Sequence, residues 1–200
     1  MAHALTAVRL LLVVPTTVAF ARPGFLDPRI LFVLLWAAIA TDYGDGKVAR
    51  MTGTASARGQ LFDHGTDFVF VTAGLTGAAL AGLVTPILPV LITIAFSQYV
   101  LDSYWKDRQK QLRMSAIGRW NGILYFVPLV LISASRLASL GSVAALLALT
   151  AGTAGYALAV STVVSVIDRA VAEKAVPKIA DAMGADCELR GDETVVSIDS

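Results

Sequence analysis

The chain has 200 residues, 56% of them hydrophobic and 16% charged, with a mean hydropathy of +0.69. A soluble globular domain carries about a quarter charged residues, so this composition excludes that class and places the chain in a membrane. The net charge of +1 points to no partner by itself, no nucleic-acid signature occurs, and the single cysteine, Cys187, excludes an intramolecular disulfide.

A membrane-spanning helix needs about 20 mainly apolar residues. Six stretches meet that requirement, at residues 4–21, 29–48, 59–80, 83–104, 118–135 and 142–167. Pro15, Pro86, Pro89 and Pro128 fall in these stretches without arguing against helix, because neighbouring helices and hydroxyl side chains satisfy freed backbone groups. The first stretch ends in Ala19-Phe20-Ala21, like a cleavage site, but its amino terminus lacks a basic region and is read as a retained span. The fold expected is all-α, a polytopic membrane protein with six transmembrane helices.

Orientation follows from the basic residues. With the amino terminus inside, thirteen of the sixteen Lys and Arg fall on one side, leaving Arg22, Arg29 and Arg136 on the other. That is a positive-inside bias, and it puts both termini in the cytoplasm. Residues 1–168 form the membrane domain. Residues 169–200 form a short polar tail, too small for a core of its own, with a short helix at 171–183 and a small hairpin flanking residues 190–193.

Between the second and third stretches lie four aspartates. Asp42 and Asp45 are three apart and Asp63 and Asp67 four apart, so each pair shares one helical face. Ionisable residues close to a membrane are costly and default to functional roles. If the two helices pack together, four carboxylates converge, and a hard divalent cation such as Mg²⁺ or Mn²⁺ relieves their repulsion. Gly46 allows close approach to the backbone, Arg50 offers a guanidinium to phosphate, and Ser56 and Gly59 shape the loop entering the third helix.

The run Asp42-Tyr43-Gly44-Asp45-Gly46-Lys47-Val48-Ala49-Arg50, then Gly59, Asp63 and Asp67, fits the pattern D-x2-D-G-x2-A-R-x8-G-x3-D-x3-D at every fixed position. In this the chain resembles the CDP-alcohol phosphotransferase (CDP-alcohol phosphatidyltransferase) family. The resemblance implies a six-helix membrane enzyme of phospholipid biosynthesis that transfers a phosphoalcohol group, phosphatidyl by preference, from a CDP-linked donor to an alcohol and releases CMP. Asp42, Asp45, Asp63 and Asp67 would then be ligands of a two-metal Mg²⁺ or Mn²⁺ site. Asp67 would also be the base for the attacking hydroxyl. Gly46, Arg50 and Ser56 would contact the CDP part. It further implies a homodimer and places the active site at the cytoplasmic face of the inner membrane.

Phe68 follows the last aspartate, where relatives that make phosphatidylglycerophosphate or phosphatidylinositol phosphate typically have a basic residue. The segment from Gly59 to Asp67, containing Leu61-Phe62-Asp63-His64-Gly65, is similar to choline and ethanolamine phosphotransferases. Those relatives are longer, with more helices, so the favoured donor stays CDP-diacylglycerol, and the alternative is a CDP-choline or CDP-ethanolamine enzyme acting on diacylglycerol. A non-enzymatic cation-binding membrane protein is a third reading. It predicts acidic residues spread along a pore, whereas these cluster at one end of the helices.

Elsewhere, Arg9 is read as snorkelling to the interface and Arg136 as an outer anchor. Lys110, Arg113 and Arg119 are candidates to face the metal site, against a default role at lipid headgroups. His64 is read as a packing residue on a face apart from the aspartates. Trp105 and Trp120 fit an aromatic belt.

Overall fold

In the computed structural model the backbone is described for residues 2–51, 57–105, 116–137 and 140–191, and side chains for residues 7–41, 62–101, 117–137 and 140–171. The described residues are helical: α1 (Ala2–Ala21), α2 (Pro28–Met51), α3 (Ala57–Leu80), α4 (Ile87–Trp105), α5 (Ala116–Leu124), α6 (Phe126–Ser135) and α7 (Val143–Gly191).

The helix boundaries have local causes. Asp27 caps α2 by accepting from the Arg29 N–H at 2.8 Å, and Pro28 takes the first helical position, where a missing N–H costs nothing. α3 ends at Leu80 and the chain turns at Gly82, whose φ of +71° suits glycine. There the Leu83 N–H reaches the Ala78 carbonyl at 3.0 Å and the Gly82 N–H reaches the Ala79 carbonyl at 2.9 Å, the paired bonds of a Schellman stop. That stop and Pro86 delay α4 to Ile87, beyond its expected start at residue 83. The fifth stretch is interrupted at Tyr125, because Pro128 has no N–H to offer the Leu124 carbonyl. Tyr125 keeps helical dihedrals, so α5 and α6 continue as one apolar span over Ile117–Ser135.

α7 runs unbroken to Gly191, so residues 187–191 are helical where one arm of a hairpin was expected. The other arm, residues 194–198, lies outside the described residues. Among the described residues, two spans, Ile117–Ser135 and Val143–Val171, are long and apolar enough to cross a membrane, and shorter apolar helices lie at Ala7–Ala21, Pro28–Thr41 and Ile87–Leu101.

Phe20, Leu31, Leu35, Leu75, Leu88, Leu129 and Ile132 are buried in the common core. Leu11, Val14, Val33, Leu80, Leu149 and Val160 point outward and are each more than 60% exposed. A bundle that is apolar both inside and outside is suited to lipid. Hydroxyls within it bond back to their own helices, as Thr17 does to Val13, Thr93 to Pro89 and Thr162 to Leu158.

α1 packs chiefly on α3, while α4 and α6 pack on α7. Gly77 permits the α1–α3 contact, since a Cβ there would stand 2.3 Å from the Thr17 carbonyl oxygen and 3.2 Å from Phe20 Cβ. At the same end of α1, Arg136 donates to the Ala19 and Phe20 carbonyls and lies 5.8 Å from the Phe20 ring centroid. The expected outer anchor is thus a cap on the carbonyl end of α1. Gly77→Val is expected to destabilise the bundle by about 1–3 kcal/mol through overpacking against backbone. A lowered melting temperature in detergent, by intrinsic fluorescence, checks this, with Gly65→Ala as a control where a Cβ meets nothing within 4 Å.

Candidate active site

α3 presents Asp63 and Asp67 one turn apart on one face, and α1 brings Arg9 to them. Arg9 Nη1 donates to Asp67 Oδ1 and lies 3.7 Å from Asp63 Oδ1. Arg9 is 2% exposed. This corrects the reading of Arg9 as an interfacial, snorkelling residue. An arginine in an apolar bundle needs a partner more than it needs water when two carboxylates lie within reach.

Asp67 and His64 line a cavity of about 500 Å³. Its walls are mainly apolar: Ile39 from α2, Phe68 and Val71 from α3, Ile92, Ala95 and Phe96 from α4, and Ile123 and Phe126 from α5 and α6. Phe68 and Phe96 stack with ring centroids 4.0 Å apart and planes 5° from parallel, which makes a flat wall beside Asp67. Polar groups enter from Gln98, Tyr99, Arg119, Tyr125, Ser165 and Arg169. The Arg169 guanidinium sits 5.3 Å from the Tyr99 ring centroid and joins α7 to α4 across the cavity. Tyr125 is held by a 2.7 Å hydrogen bond between its hydroxyl and Thr162, and Ser161 donates to Asn121 at 2.7 Å. These bonds fix α5 and its junction with α6 against α7.

The structure therefore brings Asp63 and Asp67 together and opens Asp67 to a cavity. The α2 backbone runs through Asp42, Asp45, Gly46 and Arg50, but their side chains lie outside the described residues, as does all of Ser56. Lys110 and Arg113 lie outside them too, and so does the Trp105 side chain. Arg119 reaches the cavity. Trp120 is 65% exposed, as a belt residue would be. His64, expected as a packing residue, lines the cavity with Asp67.

Sequence reasoning missed Arg9, Tyr99 and Arg169 as residues of this region. Arg9 did carry a signal, being the sole charge in the first apolar stretch. Tyr99 and Arg169 carried none, because only the packing of α4 on α7 brings them to the cavity.

Two carboxylates on one helical face offer the hard oxygen donors that Mg²⁺ or Mn²⁺ takes, and they fit part of such a site. Among the described residues, no group of three His, Cys, Asp or Glu side chains is placed to hold a metal. The side chains of Asp42 and Asp45, the other two expected ligands, lie outside the described residues.

The family model for CDP-alcohol phosphatidyltransferases matches residues 1–167. The chain belongs to the CDP-alcohol phosphatidyltransferase family. No curated protein and no solved structure matches it. Membership makes the chain a membrane-associated phosphotransferase of phospholipid synthesis, in a family that uses a CDP-alcohol donor, an alcohol acceptor and generally a divalent metal.

Gly122 lines the cavity, and a Cβ added there meets nothing within 4 Å. Gly122→Phe is expected to fill the cavity while leaving the bundle intact. CMP release should fall at least about tenfold, equivalent to roughly 1.4 kcal/mol of lost transition-state binding, at an unchanged melting temperature.

Proposed function

We propose that this chain is a multi-pass enzyme that transfers a phosphatidyl group from CDP-diacylglycerol to an alcohol at the cytoplasmic face of the cell inner membrane. The observation that carries the reading is Asp67, one turn from Asp63, in the lining of a largely apolar cavity with two arginines in its wall. An apolar cavity beside paired carboxylates suits a reaction that joins a lipid to a charged headgroup.

In this reading the acceptor hydroxyl enters beside Asp67. Its oxygen attacks the phosphorus bearing the diacylglycerol, forming a P–O bond as the pyrophosphate P–O bond breaks. Asp67 takes the hydroxyl proton, and CMP leaves with the bridging oxygen. Divalent ions held by Asp42, Asp45, Asp63 and Asp67 would supply charge neutralisation at the pyrophosphate. Gly46, Arg50 and Ser56 contact the CDP part. Arg119 and Arg169 add positive charge to the cavity wall, where the anionic portion of a substrate would be drawn. The apolar wall of Phe68, Phe96 and Ile123 keeps water from competing with the acceptor.

Residues 1–168 form the catalytic unit, to which Arg169 adds at its boundary, residues 169–200 continue as a cytoplasmic tail, and the enzyme works as a homodimer. The positive-inside bias supports this topology.

A second reading has a specific observation in its favour. His64 belongs to the segment similar to choline and ethanolamine phosphotransferases, and it lines the cavity. In that reading the donor is CDP-choline or CDP-ethanolamine, and diacylglycerol enters the apolar cavity as acceptor.

CMP release by protein in lipid, with each donor against a panel of alcohols, separates the two readings. Asp67→Asn is expected to lower turnover by about 10³-fold or more, the scale on which positioned bases and electrostatic groups contribute. Chelation should abolish release, and Mg²⁺ or Mn²⁺ should restore it. Release from CDP-choline alone would select the second reading, and release undiminished in Asp67→Asn would remove Asp67 from the chemistry. The topology has its own check: a membrane-impermeant thiol reagent should label Cys187 in inverted vesicles and leave it unlabelled in intact cells.

A further inference from the structure

Arg9 lies inside the bundle and the reaction described above does not use it. It is the only charged residue between 7 and 21. Its guanidinium puts a positive charge beside the Asp63–Asp67 pair. Its place is set by more than its own stem. α1 and α3 run parallel, with Arg9 against Asp67 at one end and Thr17 against Gly77 at the other. Sliding Arg9 along α3 would drive the Thr17 carbonyl out of the glycine contact. Asp67 lines the cavity and Arg9 does not, so the guanidinium grips the carboxylate from behind.

A cation in that position opposes metal binding, because it repels a divalent ion that shares its carboxylates. It also occupies an Asp67 oxygen and so restricts how the carboxylate turns. We propose that Arg9 is a positioning residue: from behind the site it aims Asp67 into the cavity and weakens the hold of Asp63 and Asp67 on divalent metal. An Asp67 oxygen held by Arg9 is one fewer ligand for the metal, which leaves a coordination position for substrate phosphate. The inference rests on the reading of Asp63 and Asp67 as metal ligands of a phosphotransferase.

A purely structural Arg9 makes the opposite prediction, since its removal would loosen the site and weaken metal binding. Arg9→Gln and Arg9→Lys, in lipid nanodiscs, separate these cases by two readouts. One is Mn²⁺ uptake without substrate, followed by the electron paramagnetic resonance signal of free Mn²⁺. The other is CMP release, resolved into kcat and KM. Arg9→Gln is expected to bind Mn²⁺ about tenfold more tightly, through loss of one nearby positive charge. Its kcat should fall at least about tenfold with donor KM within about twofold of the parent value.

Arg9→Lys keeps the charge and loses the planar fork, so its Mn²⁺ affinity should stay near that of the parent while kcat is only partly restored. Mn²⁺ affinity unchanged or weakened in Arg9→Gln overturns the proposal, as does an unchanged kcat. If Arg9→Gln does not fold, Arg9→Lys decides alone: lowered kcat at unaltered metal affinity supports the proposal, and full activity overturns it. Parent protein that binds Mn²⁺ but releases no CMP from any donor removes the enzymatic reading, while the Mn²⁺ comparison still judges the charge effect. Parent protein that binds no Mn²⁺ removes the proposal together with the ligand assignment.

Discussion

Placing a guanidinium and two carboxylates within a bundle of apolar helices is the constraint on which the rest of the arrangement turns. Each group alone would be costly away from water, and together they are tolerable only if the helices that carry them hold a fixed register. α1 must lie against α3 with Arg9 level with Asp67. That requirement explains the glycine at 77, where the two backbones come too close for any side chain. It also gives a reason for Arg136 to clasp the far end of α1 through the Ala19 and Phe20 carbonyls. One helix is thus pinned at both ends, by a charge pair at one and by capped carbonyls at the other.

With α1 and α3 fixed, the remaining helices can build a cavity that opens on Asp67. α4 supplies Phe96 to stack on Phe68, and α7 supplies Arg169 to cover Tyr99. α5 is held to α7 by hydroxyl and amide hydrogen bonds, which do not compete with water in an apolar setting. The result is a wall that is flat and greasy near the carboxylate and basic at its polar edge. Amphiphilic substrates need that division, since their reactive phosphorus lies between a charged headgroup and hydrocarbon.

Much of this was legible in the sequence, and the part that was not has an identifiable cause. The helical stretches and the motif from Asp42 to Asp67 depend on composition and spacing, which a linear reading captures. Gly82 and Pro86 shift the start of α4 by only a few residues. The interruption at Tyr125 follows from Pro128 four positions after Leu124, a rule that is local but easily overlooked inside an apolar run. Arg9 was misplaced because the cost of a lone charge in the membrane is usually met by snorkelling. Its actual partner, Asp67, lies 58 positions along the chain, and periodicity does not reach that far. Arg169 and Tyr99 illustrate the same limit, because their encounter is a property of helix packing alone.

The separation between Arg9 and its partners bears on how the protein is made. In the multi-pass topology proposed above, α1 emerges from the ribosome before α3, and its arginine cannot meet Asp63 or Asp67 until α3 has followed α2 into the bilayer. During that interval α1 is a poorer membrane segment than its apolar residues suggest, since an unpaired arginine at the centre of a span costs about 2.5–3.5 kcal/mol, and less toward its end. Arg9 stands near the beginning of the apolar run Ala7–Ala21, where the penalty is smallest. The arrival of α3 then does more than add a helix. It brings the counter-charges that draw Arg9 inward, so final seating of α1 waits on synthesis of α3.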